Sequence, residues 1–228
     1  GRHLQKKIMM RLLTLLLFFS LTTSCGNANE EKQTRPEIAN ADPVQVPAQE
    51  GRERAYFASG CFWCVEAVYE SLKGVKEAVS GYSGGHTLNP TYESSNTGKT
   101  GHAETVEVIY DPELIDFATL VDVYFGSQDP TQKNGQGPDI GSQYRSIIFF
   151  QNEDQRKILE EKVAALESRL GKEVAAEILP FQKFWKAEEY HQDYERKHPQ
   201  DPYIKSVSVP RIQKFRGKFP HLLKETAH

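Results

Sequence analysis

Cysteine is scarce in this chain, which has three cysteines in 228 residues. So few cysteines exclude a small secreted scaffold built on disulfides, and their odd number means that each one needs its own explanation. A structural zinc site needs four ligands, but no second cysteine pair and no His-x-His motif accompanies the two closely spaced cysteines. We therefore expect no bound metal.

The chain also lacks a strong charge of one sign. Its net charge is -3, and its 28 basic and 31 acidic residues are interleaved. This pattern excludes the basic surface that nucleic-acid binding needs. With 38% hydrophobic residues and no internal repeat, the chain can fill one core, so we predict one domain with extensions and a monomer.

Long hydrophobic runs are missing except near the N-terminus. There, basic residues precede an apolar run at 12–21, and small residues lead to Cys25. This layout is typical of an export signal, and the run is too short to span a bilayer comfortably. Because the Thr-Thr-Ser-Cys-Gly ending resembles a bacterial lipobox, we predict a signal segment at 1–25 and a lipid on Cys25. The expected location is the bacterial cell envelope, on the periplasmic face or the outer membrane; the alternative is a soluble periplasmic protein.

Residues 26–51 contain no aromatic residue and are rich in Asn, Glu, Gln, Pro and Ala. Such a segment cannot bury enough apolar surface to offset its ordering entropy. We therefore predict a disordered tether over 26–51, followed by a catalytic domain over 52–228.

Hydrophobic periodicity within that domain predicts two successive β-α-β units. The strands are expected at 55–58, 75–81, 105–110, 145–150 and 173–179, and the helices after Cys61, from Asp111, after an Asn152 cap and at 187–196. Long loops at 82–102 and 127–143 are expected to be functional. The order predicts an α+β fold, namely a two-layer plait with a ferredoxin-like core and a mixed sheet, and an irregular C-terminal wrap.

The stretch Gly60-Cys61-Phe62-Trp63-Cys64 places two thiols at the start of a predicted helix. The positive end of a helix dipole lowers the pKa of a thiol, which favours Cys61 as a nucleophile. A metal clip, two buried structural cysteines and a thioredoxin-like dithiol are the alternatives. The aromatic pair Phe62-Trp63 favours an apolar substrate pocket.

Acids and phenols lie beside glycines at the ends of the predicted loops, namely Tyr92, Glu104, Asp139 and Tyr144. Together with a reactive thiol, they indicate nucleophilic attack on an electrophile whose oxygen must be protonated.

Six motifs in a fixed order carry a resemblance to a known family. Gly-Cys-Phe-Trp is followed by Val-Ser-Gly-Tyr-Ser-Gly-Gly, Pro-Thr-Tyr, Thr-Gly-His-Ala-Glu, Asp-x-Gly-x-Gln-Tyr-Arg-Ser and Ala-Glu-Glu-Tyr-His-Gln. In this order, over about residues 56–203, the chain resembles the A-type peptide methionine sulfoxide reductases. The resemblance implies thiol-dependent reduction of methionine-S-sulfoxide, free or in oxidised peptides and proteins, with no bound cofactor. The implied reductant is an external thioredoxin-like protein, or dithiothreitol in the test tube.

The resemblance also implies roles for individual residues. Cys61 attacks the sulfoxide sulfur and becomes a sulfenic acid. Glu104 protonates the sulfoxide oxygen, and apolar surroundings should keep this carboxyl partly protonated. The other implied roles are oxygen binding by Tyr92 and Tyr144, walls of the methyl pocket for Phe62 and Trp63, and an acid near the pocket floor for Asp139.

The chain departs from the family pattern in its tail, because residues 198–228 contain no recycling cysteine. Cys64 is then the candidate resolving thiol, and the alternative is an outside thiol that reduces Cys61 directly. Two other functions compete with the reductase: a thioredoxin-like dithiol oxidoreductase, and a non-enzymatic envelope lipoprotein that only binds a partner.

Overall fold

The structure is a computed structural model that describes residues 35–225. The predicted signal segment, Cys25 and the first part of the predicted tether lie outside the described residues. The strands are β1 Glu53–Ala58, β2 Val75–Ser83, β3 Ala103–Tyr110, β4 Gly135–Gln136, β5 Asp139–Ile140, β6 Ile147–Phe150, β7 Glu177–Pro180 and β8 Trp185–Lys186. The α-helices are α1 Arg35–Ala39, α2 Phe62–Glu70, α3 Tyr92–Asn96, α4 Phe117–Gly126, α5 Glu153–Leu170, α6 Tyr194–Lys197 and α7 Val209–Lys218.

Six strands form one mixed sheet in the order β7-β6-β1-β3-β2-β8. From β6 to β8 each strand is antiparallel to the next, whereas β7 runs parallel to β6. The chain thus places β3 between β1 and β2, and β1 between β3 and β6, which is the split β-α-β arrangement of a ferredoxin-like plait. The predicted α+β fold is confirmed.

Strand alternation gives the sheet two different faces. On one face, Phe57, Val106 and Ile148 pack under the helices in the main core. On the other face, Tyr56 and Phe149 form a smaller core with Phe181, which lies in the segment after β7. Glu104 is two residues before Val106, so β3 points its side chain toward the helices and the start of α2.

Helix α5 begins and ends where the sequence predicts. The Asn152 side chain accepts a hydrogen bond from the backbone N–H of Gln155, and Gly171 ends the helix in the left-handed conformation with φ of 64°.

Two predicted helices differ from the structure. Helix α4 begins at Phe117 rather than at Asp111, because Asp116 caps it through the N–H of Thr119 and Asp111 forms a turn instead. As a result, Leu114 lies outside the helix and is 70% exposed. Residues 187–196 are not one helix either, since a 3-10 turn at Glu189–His191 and the short α6 replace it.

The predicted irregular C-terminal wrap is largely helical. A π-helical turn at Ile204–Ser208 leads directly into α7, and Ile212 and Phe215 are buried in the main core. Among the described residues, no helix is long and apolar enough to cross a membrane.

The predicted tether is ordered from residue 35 onward. Ile38 is 3% exposed, and Val44 donates its backbone N–H to the carbonyl of Phe181 at 2.8 Å. The N–H of Val46 is bound by the side chain of Gln151, also at 2.8 Å. The folded part therefore begins before residue 52, because these contacts cover the second face of the sheet.

Candidate active site

Cys61 lies at the N-cap position of α2, directly after β1. Gly60 makes this sharp turn with φ of 72°, and its backbone N–H donates to the carbonyl of Tyr144 at 3.1 Å. A Cβ on Gly60 would lie 2.6 Å from Cβ of Gln136, so only glycine fits. Backbone geometry therefore holds Cys61 at the end of the strand, with Tyr144 beside it.

Glu104 reaches the same helix start from β3. Its Oε2 accepts the backbone N–H of Phe62 at 2.9 Å, and its side chain is 2% exposed. Burial raises the pKa of Glu104 to about 8, although the hydrogen bond from Phe62 opposes this effect. At neutral pH the carboxyl is therefore mostly protonated, as the resemblance implies, and it can donate a proton.

Cys61 and Cys64 are both buried and reduced. The hydrogen bond from the Cys61 thiol lowers the pKa of Cys64 to about 6 against the opposing effect of burial. Burial, together with this shared proton, raises the pKa of Cys61 well above its ordinary value. The expected lowering of the Cys61 pKa by the helix start is therefore wrong, since the paired thiol takes the negative charge.

Tyr144 and Asp139 come from the loop between α4 and β6. Burial and the nearby Glu104 raise the pKa of Tyr144, so its hydroxyl stays protonated and able to donate. Asp139 is half-buried, and burial raises its pKa. Tyr203 donates to Asp139 at 2.6 Å, and its hydroxyl lies 3.9 Å from the sulfur of Cys64.

Tyr92 begins helix α3, which Thr91 caps. Its backbone N–H donates to Glu188 Oε1 at 2.9 Å, while Tyr82 donates to the other oxygen of Glu188 at 3.0 Å. The short α3 inside the long loop thus gives Tyr92 a defined position against the ring of His191.

Phe62 is buried and Trp63 is half-buried in a cluster of aromatic side chains. Tyr194 stacks on Trp63 with 3.8 Å between the ring centroids, and the indole Nε1–H donates to Nδ1 of His191 at 3.1 Å. Phe62 and Tyr92 both contact the His191 ring, with centroids 4.9 and 4.6 Å away. All seven residues to which the resemblance assigns a role in the reaction thus lie around the start of α2.

Sequence reasoning gave no role to His191 or Arg211. His191 lies in a quoted motif, so that motif could have pointed to it, but its partners are on distant segments. Arg211 is on α7 and donates to the carbonyl of Ser127 and to the carbonyl and hydroxyl of Ser59, each at 2.9 Å. Its charge helps to lower the pKa of Cys64. No local signal in the sequence marks this residue.

One cluster of acidic side chains in the described part of the chain is compact enough to bind a cation. Ligand atoms of Glu66, Glu70 and Asp193 lie within 4.8 Å of one another. Glu66 accepts hydrogen bonds from the Ser80 hydroxyl and the Asp193 backbone, and Asp193 pairs with Arg196 at 2.8 Å. Since protein donors already bind the carboxylates of Glu66 and Asp193, we assign no metal to this group.

A buried acid beside a pair of thiols, at the start of a helix in a ferredoxin-like plait, defines a thiol-dependent oxidoreductase. The model of the family described as peptide methionine sulfoxide reductase matches residues 53–223. The protein named peptide methionine sulfoxide reductase MsrA from Saccharolobus solfataricus is 48% identical over 172 residues, which are 75% of this chain and 97% of that protein. The MsrA of Pasteurella multocida is 44% identical over 172 residues, or 75% and 99% of the two chains.

Solved structures agree with the sequence matches. Methionine sulfoxide reductase A of Corynebacterium diphtheriae aligns with a TM-score of 0.62 at 35% identity, over 71% of this chain and 84% of that one. Mxr1 from Saccharomyces cerevisiae in its reduced form aligns with a TM-score of 0.61 at 32% identity, over 70% of this chain and 91% of that one. This chain belongs to the peptide methionine sulfoxide reductase family. The predicted resemblance and the predicted activity, thiol-dependent reduction of methionine sulfoxide, are confirmed over the two competing functions.

Proposed function

We propose that the chain reduces methionine-S-sulfoxide through Cys61, with Glu104 as the proton donor. The observation that carries this proposal is the contact of the buried Glu104 carboxyl with the helix start that holds Cys61. A sulfoxide oxygen is a poor leaving group until it is protonated, and this carboxyl is protonated at neutral pH.

In the first step, the sulfur of Cys61 attacks the sulfoxide sulfur and gives its proton to the Cys64 thiolate. Glu104 protonates the sulfoxide oxygen, which Tyr92 and Tyr144 bind through their hydroxyl groups. The S–O bond of the substrate then breaks as the OH group passes to Cys61. The substrate sulfur gains two electrons from Cys61 and leaves as methionine. Cys61 is left as a sulfenic acid.

Substrate binding uses the aromatic residues at the start of α2. Phe62 and Trp63 form apolar walls for the methyl group on the sulfur, and Asp139 completes the polar floor through its bond with Tyr203.

In the second step, Cys64 attacks the Cys61 sulfenic acid. An S–S bond forms, the S–O bond breaks, and the OH group leaves as water with the Cys64 proton. The placement of Cys64 supports this role, since it shares a proton with Cys61 and the described tail has no other thiol. An external dithiol of the thioredoxin type then reduces the disulfide and is itself oxidised.

Mass measurement after a single turnover tests both steps. The wild type should release one methionine per chain and lose two hydrogens as the disulfide forms. Cys64→Ser should release the same methionine and keep a sulfenic acid that dimedone traps, whereas Cys61→Ser should release none. A dimedone adduct on wild-type Cys61, with no disulfide, would establish the alternative cycle with an outside thiol.

Steady-state assays separate the epimers and the reductants. With dithiothreitol, the S epimer of a dabsylated methionine sulfoxide should be reduced and the R epimer should not. Cys64→Ser should retain turnover with dithiothreitol at a reduced rate, because the thiolate that accepts the Cys61 proton is gone, and should lose turnover with thioredoxin. Equal turnover of both epimers would contradict the proposed stereochemistry.

We also propose that the protein repairs oxidised envelope proteins while held at the membrane by a lipid on Cys25. The basic and apolar pattern before Cys25 supports this location. In the producing bacterium, radiolabelled palmitate should label the wild type but not Cys25→Ser, and globomycin should block processing. An unlabelled wild type would favour the soluble periplasmic alternative.

A further inference from the structure

His191 lies where the two halves of the proposed substrate site meet. It is 1% exposed and follows β8, whereas Trp63 belongs to α2 and Tyr92 to α3. Its ring lies 4.9 Å from Phe62 and 4.6 Å from Tyr92, measured between centroids. It therefore contacts a wall of the methyl pocket and also an oxygen-binding phenol.

The hydrogen bond with Trp63 determines the tautomer of His191. Because the indole Nε1–H can only donate, Nδ1 of His191 must accept and carries no proton. The proton of the neutral ring is then on Nε2, where Glu188 Oε2 lies 4.0 Å away. Burial also lowers the pKa of His191, which keeps the ring neutral.

Glu188 also helps to hold this part of the site in place. Its two carboxylate oxygens accept from the backbone of Tyr92 and the hydroxyl of Tyr82, so the carboxylate holds the start of α3 against β2. The indole of Trp63 has one polar atom, and His191 is its hydrogen-bond partner. Without His191, this N–H loses its acceptor, and ring contacts such as the stack on Tyr194 hold the half-buried indole without a hydrogen bond to fix its orientation.

We propose that His191 is a positioning residue for methionine sulfoxide, which orients the Trp63 indole through Nδ1 and fixes its distance from Tyr92 through ring contact. The inference rests on the proposed function, since it assumes that Trp63 borders the methyl group. A wall acts on bound substrate and transition state alike, so its displacement raises KM and leaves kcat nearly unchanged.

The test compares His191→Leu with His191→Gln, using dithiothreitol and dabsylated methionine-S-sulfoxide. His191→Leu should raise KM about tenfold and change kcat less than about twofold. His191→Gln should restore most of the affinity because its amide oxygen can accept from the indole. His221→Leu, at an exposed histidine, is the matched control and should keep the wild-type KM.

Two further measurements separate positioning from loss of folding. The indole N–H resonance of Trp63, recorded in Trp185→Phe protein so that Trp63 is the only tryptophan, should move upfield in His191→Leu and return in His191→Gln. In Trp63→Phe protein, which lacks the indole N–H, His191→Leu should raise KM much less than it does in the wild type.

Different results overturn the two proposals. An active wild type whose His191→Leu variant keeps its KM, or loses only kcat, overturns the role of His191 alone. Equal KM values for the Leu and Gln variants also overturn it. A wild type with no sulfoxide reductase activity overturns the proposed function itself.

Discussion

At the scale of single residues, burial determines which groups carry protons in the active site. Glu104 has a raised pKa because it is enclosed, and Cys64 has a lowered pKa because Cys61 donates to it. The site therefore holds an acid in its neutral form beside a thiol pair that has already lost one proton. This is the combination that sulfoxide reduction needs at neutral pH.

The pH dependence of catalysis should reflect these two groups. Because the thiolate is needed, kcat/KM should rise through about pH 6, where the pKa of Cys64 lies. Because protonated Glu104 is also needed, kcat/KM should fall above about pH 8, where this carboxyl ionises. Glu104→Gln should lower kcat about a hundredfold or more and abolish the falling limb.

Glu107→Gln is the matched control for that experiment. It lies on the same strand with its side chain on the opposite face, bound by the hydroxyl of Tyr56. In this variant, kcat/KM should still rise through about pH 6 and fall above about pH 8. A falling limb that persists in Glu104→Gln would show that another group is responsible.

The shared proton of the thiols can be measured directly by thiolate absorbance at 240 nm. In Cys25→Ala protein, one thiolate per chain should form with a midpoint near pH 6. Adding Cys61→Ala removes the largest cause of the low value and should move the midpoint of Cys64 upward. A midpoint that stays near pH 6 would show that Arg211, Ser208 and Tyr203 suffice to keep the pKa of Cys64 low.

At the scale of elements, the turn between β1 and α2 places Cys61, the proposed nucleophile. Gly60 has a left-handed conformation, and a Cβ there would also overlap the side chain of Gln136. The turn is held from outside by Tyr144 and by Arg211, whose guanidinium binds Ser59. Helix α7 is thus part of the support for Cys61 although it is distant in the chain.

Two glycine variants separate the cost of backbone strain from the cost of steric overlap between residue 60 and Gln136. Gly137 has φ of 61°, and a Cβ added there would meet nothing within 4 Å, so Gly137→Ala should lower the free energy of unfolding by about 1 kcal/mol. Gly60→Ala adds the overlap with Gln136 and should lower it by about 3 kcal/mol in all. Urea unfolding of both variants gives the comparison, and equal losses would show that Gln136 moves away without resistance.

At the scale of the whole molecule, both faces of the sheet must be covered for the fold to be stable. The helices cover one face, while residues from 35 to 51 and the segment after β7 cover the other. The hydrogen bonds of Val44 and Val46 reach Phe181 and Gln151, which are not among the proposed catalytic groups, so we expect the segment from residue 35 to 51 to contribute to stability.

Shortened chains test this separation of stability from activity. A chain that begins at Arg52 loses the buried Ile38 and the bonds of Val44 and Val46, and should be less stable by about 2–4 kcal/mol than one that begins at Arg35. Its kcat/KM below the unfolding temperature should be unchanged. Equal thermal stability of the two chains would refute the role of this segment.

Local sequence signals predicted the parts of the fold that local chemistry determines. The alternation in β3, the Asn152 cap and the Gly171 stop depend on residues a few positions apart, so they could be located without the structure. The start of α4 could not, because Asp111 and Asp116 are both suitable caps and the burial of Phe117 selects the second.

The sequence by itself determined the family, and it predicted Cys61 as the nucleophile together with the set of residues that surround it, because the order of the motifs along the chain is specific to that family. Only the tertiary structure decided how the two thiols share a proton. The low pKa of Cys64 depends on its neighbour Cys61 and also on Tyr203 and Arg211, which are more than a hundred residues away. The neutral state of Glu104 depends on burial, and the tautomer of His191 depends on Trp63, which is 128 residues away. Periodicity and spacing carry no information about such contacts, since only folding brings these groups together.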